Sequence, residues 1–149
     1  MSMSSDYFRR ETPEERPTGT PQWVDTQADL RPIELVPGLE FRPVVGTNLA
    51  LNVVSFQPHT EAPLHAHEEE QMVFVLEGVL EFEVEGEVRL LRPGMAVHIP
   101  AFAVHGARTG DERCVEIDVF SPPRRGLLDA MSRTLASDDS GETSPAAEQ

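Results

Sequence analysis

The chain has 149 residues and a mass of 16.5 kDa, enough for one domain with a real core and too little for two. A formal net charge of -14 and a pI near 4.6 exclude nucleic acid and anionic membrane as partners, since both demand a basic footprint. All twelve cations are arginine, and the absence of lysine rules out Schiff-base and lysine general-base chemistry.

Residues 1–20 mix Ser, Thr, Pro, Glu and Arg without periodicity and cannot bury enough apolar surface to offset ordering entropy, so a flexible tail is expected there. Trp23 and Val24 form the first large apolar pair beyond that tail. Between Arg31 and Val44 the pattern predicts two short strands around a Pro37-Gly38 turn, with prolines that mark edge strands or an arm. From Asn48 to Phe56 the apolar content is nearly continuous, as in a strand covered on both faces. Beyond Gly78 the alternation is strict: Leu80, Phe82 and Val84 face one way, Glu81, Glu83 and Glu85 the other, and this predicts a half-buried antiparallel strand. Gly86 turns the chain, Val88 and Leu90 are expected to continue the apolar face, and Arg92-Pro93-Gly94 makes a second turn before a strand over Met95 to Ile99.

Cys114 to Phe120 is the last strand. Val115, Ile117 and Val119 form an apolar stripe expected to face the core, opposite Cys114, Glu116, Asp118 and Phe120 on a face toward pocket or solvent. A short helix is expected over Leu127 to Leu135, then an acidic tail over 136–149, leaving 21–135 as the domain. Short strands punctuated by Gly and Pro, with almost no helix, predict an all-β barrel or double sheet. Cys114 is the sole cysteine and reads as a small buried residue, so no intrachain disulfide can form. No membrane-length apolar run and no signal-peptide core are present, and the reading is cytoplasmic.

The chemistry concentrates in His65-Ala66-His67-Glu68-Glu69-Glu70-Gln71. Two histidines at i and i+2 of an extended backbone share a face, and Gln71 has the same parity. Together with His105, which follows a turn-strand-turn unit, they predict one divalent transition-metal site. Imidazole and oxygen donors suit Fe, Mn, Ni, Co, Cu or Zn. Gln71 adds no negative charge, which favours a Lewis-acid role toward an oxygen substrate. Glu68 and Glu69 read as a solvated turn, with Glu70 a candidate to support the ligands. His59 reads as a solvated turn histidine and His98 as a packing or surface residue. Arg108 is a candidate for the pocket mouth, or simply offsets the surrounding acid.

These residues together resemble the cupin superfamily, whose first motif carries a glycine, two histidines one residue apart, a glutamate and a closing glycine. His65, His67 and Gly78 match it, Gln71 replaces the glutamate and His59 the opening glycine; Pro93, Gly94 and His105 fit the second motif, with Met95 and Ala103-Val104 departing from it. The resemblance spans roughly residues 31–128 and implies a single cupin barrel, a double-stranded β-helix of jelly-roll type. Within the superfamily, the run from His65 to Gln71 with Asp118-Val119-Phe120-Ser121-Pro122-Pro123-Arg124 is similar to small cupins of the KdgF type, which convert unsaturated uronates to their linear keto form, and to small cupins of aromatic polyketide pathways. The resemblance to the uronate enzymes implies metal ligation by His65, His67, Gln71 and His105, with functional roles for Asp118, Phe120 and Arg124.

The residues agree with that assignment. An aspartate lining a metal-containing cavity can move protons, and an arginine can clamp a carboxylate bidentately. Asp118 and Arg124 are thus the candidate catalytic pair, with Phe120, Glu116 and Arg108 as candidate substrate-pocket residues; a salt bridge between Asp118 and Arg124 at the barrel rim is the competing reading. The expected activity is Lewis-acid and proton-transfer chemistry on a small oxygenated substrate, such as uronate ring opening or polyketide cyclisation. The alternatives are a quercetinase-type dioxygenase and a non-catalytic ligand-binding or accessory cupin. Edge strands of the arm from Trp23 to Val44, which small cupins often pair across an interface, imply a homodimer.

Overall fold

In the computed structural model, the described residues are 7–9 and 19–140, with side chains described to 137. The expected N-terminal tail therefore lies mostly outside the described residues, as does the acidic segment beyond 140. Residues 19–140 form ten strands and one helix: β1 (Ile33–Val36), β2 (Leu39–Val45), β3 (Ala50–Phe56), β4 (Glu61–His65), β5 (Glu70–Glu77), β6 (Leu80–Val84), β7 (Glu87–Leu91), β8 (Ala96–Ile99), β9 (His105–Arg108), β10 (Cys114–Ser121) and α1 (Arg125–Ser140).

The strands make two antiparallel sheets, one ordered β1-β2-β3-β10-β5-β8 and the other β4-β9-β6-β7. Their inner faces close on a core of Leu39, Val54, Phe56, Val73, Leu80 and Ile99, among others. The arm forms as expected: β1 is the sheet edge, and Pro43 of β2 lies beyond the last residue paired with β1, where its missing N–H leaves no ladder bond unmade.

Three expectations invert. On β10 the buried residues are Cys114, Glu116, Asp118 and Phe120, while Val115, Ile117 and Val119 are only half-buried on the outer face. The acidic face points inward because this strand forms the wall of a cavity. On β3, Leu51 and Val53 likewise face outward and half-buried, so the strand is covered fully on one face only. On β7 the hairpin register pairs Leu80 with Leu91 and Glu81 with Leu90. Leu91 is therefore the buried residue, and Val88 and Leu90 stand 47% and 52% exposed beside the outward glutamates.

Helix α1 starts two residues before the expected Leu127 and runs five beyond Leu135, so residues 136–140 assigned to a tail are helical. Leu127 packs on Ala50 and Phe120, with Met131 alongside, which seats the helix across one end of the barrel. Cys114 is buried at a strand start as expected, and burial pushes its thiol up to about 11. No helix among the described residues is long and apolar enough to cross a membrane.

Candidate metal centre and its cavity

Pairing of β4 with β9 sets His65 directly opposite His105, with ring centroids 4.3 Å apart. His67 lies just past the end of β4, its ring 5.6 Å from that of His65 and 4.9 Å from that of His105. One donor atom from each histidine lies within 4.8 Å of the others, a spacing that lets one ion reach all three. Gln71, buried at the start of β5, places its Oε1 3.1 Å from the Nε2 atoms of both His67 and His105. The structure thus brings together the four residues singled out in the sequence.

Their second ring nitrogens fix the chemistry. His65 Nδ1 is 2.7 Å from the Pro63 carbonyl, His67 Nδ1 is 3.0 Å from the Glu69 carbonyl, and His105 Nδ1 is 2.8 Å from the Ala103 carbonyl. A carbonyl only accepts, so each Nδ1 carries a proton. Burial lowers the pKa of His65 and lowers that of His105 to about 4, so neither ring is an imidazolium near neutral pH. With the His105 ring neutral, the short contact from His105 Nε2 to Gln71 Oε1 sets lone pair against lone pair, an arrangement that a cation beside them resolves. The donor set fits a divalent metal ion.

The acidic run behaves differently from expectation. Glu69, read as solvated, is buried at 4% exposure; its carboxylate accepts the Arg125 backbone N–H at 2.8 Å and lies 3.5 Å from His67 Nδ1. It supports a candidate ligand and the start of α1 at once. Glu70 instead points to solvent and pairs with the exposed His98 at 2.8 Å. Glu69 keeps the inward parity of His67 and Gln71, and Glu70 takes the opposite face.

The histidine cluster opens onto a cavity of about 60 Å³. Asp118, Glu116, Phe120 and Arg124 line it. Burial pushes the Asp118 carboxyl up to about 6, although hydrogen bonds to Glu116 and Gln71 and the charge of Arg124 work the other way. Gln71 can donate to Asp118 only through Nε2, which leaves its Oε1 for the histidines. Glu116 is pushed well above the usual carboxylate range by burial and by Asp118 beside it. Phe120 is buried, its ring 5.8 Å from that of His67. No ion pair joins Asp118 to Arg124 among the described residues, so the structural salt bridge does not form. Arg108 is not at the mouth: at the outward end of β9 it pairs with Glu81, Nη2 to Oε1 at 3.1 Å, outside the four-stranded sheet. Asn52, which the sequence reading passed over, lines the cavity from β3; the signal was an amide at inward parity within an apolar strand.

Residues 52–120 match the cupin domain family. The structure of KdgF from Halomonas sp. is 31% identical with a TM-score of 0.66, covering 74% of this chain and 100% of that one. This chain belongs to the cupin family. A pectin degradation protein KdgF of Dickeya dadantii (strain 3937) is 37% identical over 65 residues, which are 43% of this cupin and 59% of that protein; the match thus spans somewhat over half of its length. The polyketide cyclase RemF from Streptomyces resistomycificus is 26% identical with a TM-score of 0.62, covering 71% of this cupin and 82% of RemF.

Two motif positions of the cupin acquire physical reasons. His59, in place of the opening glycine, adopts φ 54, a left-handed conformation, and its exposed ring pairs with Asp111 at 2.9 Å. Gly78 has φ 76, and a Cβ there would meet the Arg113 carbonyl oxygen at 2.1 Å, so only glycine lets β5 pass into β6 at this point.

Proposed function

We propose that this cupin is a metal-dependent enzyme that promotes proton transfer on a small oxygenated substrate carrying a carboxylate or carbonyl, with ring opening and tautomerisation of an unsaturated uronate as the leading reaction. One divalent transition ion would be held by His65, His67, Gln71 and His105, and when bound it supplies Lewis-acid polarisation of a hydroxyl or carbonyl oxygen. The observation that carries the reading is the Gln71 side chain, which faces the histidines with its oxygen and Asp118 with its amide, so the acid-base group is oriented by a ligand residue. With its carboxyl near 6, Asp118 can both take and return a proton near neutral pH. Arg124 stands over the same cavity to hold a carboxylate, and Phe120 keeps the reacting end dry.

The two KdgF likenesses, one of them named for pectin degradation, support a uronate. Purified protein, with metal content measured, is to be given unsaturated uronate released from pectin, following loss of the ultraviolet band of its conjugated carboxylate. Wild type should turn over, and Asp118→Asn should lose turnover by more than about 100-fold while retaining one metal per chain. Equal turnover by the variant sinks the assignment. Likeness to RemF, with Phe41, Phe56 and Phe82 on the cavity wall, favours cyclisation of an aromatic polyketide intermediate as the second reading.

The cupin is further proposed to be a cytoplasmic homodimer. In a chain of net charge -14, the outer face of the larger sheet carries Met72, Phe74 and Leu76 beside Val115, Ile117 and Val119. Met72, Phe74 and Leu76 are 54%, 41% and 44% exposed. A second copy, which brings an equally uncharged face, is the occupant that fits an otherwise strongly acidic surface. This face extends the interface beyond the edge strands expected of the arm.

A further inference from the structure

The cavity holds polar groups that the proposed proton transfer does not use. Asn52 is 1% exposed, and neither its Oδ1 nor its Nδ2 has a hydrogen-bond partner among the described residues. Glu116 is 3% exposed, and its Oε2 is likewise unpartnered. Both line the same cavity as the histidine cluster. Buried polar atoms are almost always bonded, so a cluster of orphans at a cavity surface points to a ligand that completes them.

Their placement is set by register. Asn52 of β3 lies opposite Asp118 of β10, and Glu116 lies one inward position further along β10, opposite Val54. Gln71 lies on the other side of β10, opposite Phe120. Asn52 and Glu116 therefore sit beyond Asp118 as seen from the metal ligands, on the order of 10 Å away by strand spacing and rise. Around them the wall is apolar, with Leu39, Phe41, Val54 and Phe56. A carboxamide with donors and an acceptor, beside a carboxyl, is the complement of a hydroxyl, which does both.

We propose that Asn52 and Glu116 form a second polar subsite that binds a hydroxyl-bearing part of the substrate, so that this cavity selects polyhydroxylated acids over flat aromatic molecules. The inference rests on the proposed reading of the site as one for a small oxygenated substrate, and within that reading it favours the sugar acid. A hydroxyl reaching this pair accepts from Asn52 Nδ2 and donates its one proton to Glu116 Oε2, and a second, adjacent hydroxyl can donate to Asn52 Oδ1. A ligand with only carbon there leaves them buried and unpaired, a mismatch for which sites built around a hydroxyl discriminate strongly.

The test is binding, by isothermal titration of the metal-loaded protein with saturated galacturonate, which lacks the double bond needed to react, and with its 2-deoxy and 3-deoxy analogues. Wild type should bind galacturonate about 100-fold more tightly than at least one deoxy analogue. Asn52→Leu, similar in shape, should lose that factor for galacturonate while leaving the affinity of the same deoxy analogue unchanged; Glu116→Leu should behave alike, and Glu116→Gln, which keeps a donor and an acceptor, should stay within about threefold of wild type. Should Asn52→Leu fail to fold, the deoxy series on wild type and the two Glu116 variants carry the same test. The proposal is overturned if wild type does not bind galacturonate, if both deoxy analogues bind like the parent, or if the leucine variants weaken every ligand alike. Hydroxyl-dependent binding without turnover of unsaturated uronate would remove the proposed reaction and keep the subsite; turnover without that dependence would do the reverse.

Discussion

Glu69 is one carboxylate serving two neighbours, and replacing it with alanine tests how the candidate site is tied to the fold. Its Oε1 accepts the Arg125 N–H at 2.8 Å, at the start of α1, and its Oε2 lies 3.5 Å from His67 Nδ1. Loss of a helix N-terminal acceptor costs about 1 kcal/mol, and the backbone N–H left without a partner in a partly buried place about 1 kcal/mol more. For roughly 120 ordered residues, with about 2 cal/mol/K of unfolding entropy each, a loss of about 2 kcal/mol lowers the Tm by about 8 °C. Metal affinity should fall by only about tenfold, the low end for removal of a supporting group, because the Glu69 carbonyl still holds His67 Nδ1 at 3.0 Å. The effect also depends on pH. Burial raises the Glu69 carboxyl, but the Arg125 N–H, its own backbone N–H and the charges of His67 and Arg124 bring it below the ordinary 4.5. Its contribution is therefore complete above that value, where the unfolded chain is also ionised, and is lost as the pH falls through the folded value. Thermal melts of wild type and Glu69→Ala should differ at pH 7 and converge in acid. A Tm within about 2 °C of wild type at pH 7 would refute the reasoning.

Gly78→Ala should destabilise by about 2–4 kcal/mol in urea titrations, since it combines a left-handed backbone with a Cβ 2.1 Å from the Arg113 carbonyl oxygen; a change under about 1 kcal/mol would mean that β5 and Arg113 can separate freely. Arg108→Ala should leave both turnover and metal content at wild-type levels, because its guanidinium faces Glu81 outside the barrel, and a drop in turnover would return Arg108 to the site. Phe74→Glu on the outer sheet face should give monomers by size exclusion with light scattering where wild type gives dimers, and a dimer that persists would move the interface to the β1 edge.

The elements legible in the sequence were those with local causes. The Pro37-Gly38 and Pro93-Gly94 turns, the alternation of β6, and the parity that sends His65 and Gln71 inward need only neighbouring residues. The opposition of His65 and His105 needed the pairing of β4 with β9, yet the count of donors already pointed to it. Misread positions depended on long-range facts. Glu69 was read as solvated although it shares the parity of His67 and Gln71, because the Arg125 N–H that makes its burial tolerable comes from 56 residues away. Val88 and Leu90 faced outward because the β6–β7 register, not their own pattern, selects Leu91. Arg108 had a paired glutamate on the adjacent strand β6, which no reading of β9 alone reveals.

Inversion of β10 carries the further lesson. Binary patterning assigns apolar residues inward and acids outward, and this strand does the opposite over Val115 to Val119. Both halves of the reversal have chemical reasons. Inside, Glu116 and Asp118 lose solvation, which is what raises their carboxyls and lets Asp118 exchange protons near neutral pH. Outside, the same alternation leaves Val115, Ile117 and Val119 beside Met72, Phe74 and Leu76, an apolar face that association with a second copy would cover. Inward acids on β10 destabilise an isolated barrel through desolvation, and burial of its outward residues in a dimer contributes in the opposite sense. The proposed site and the proposed interface are thus two faces of one strand. A substitution that exchanged them, placing valine at 116 and 118, would strip the cavity of its carboxylates without improving the outer face.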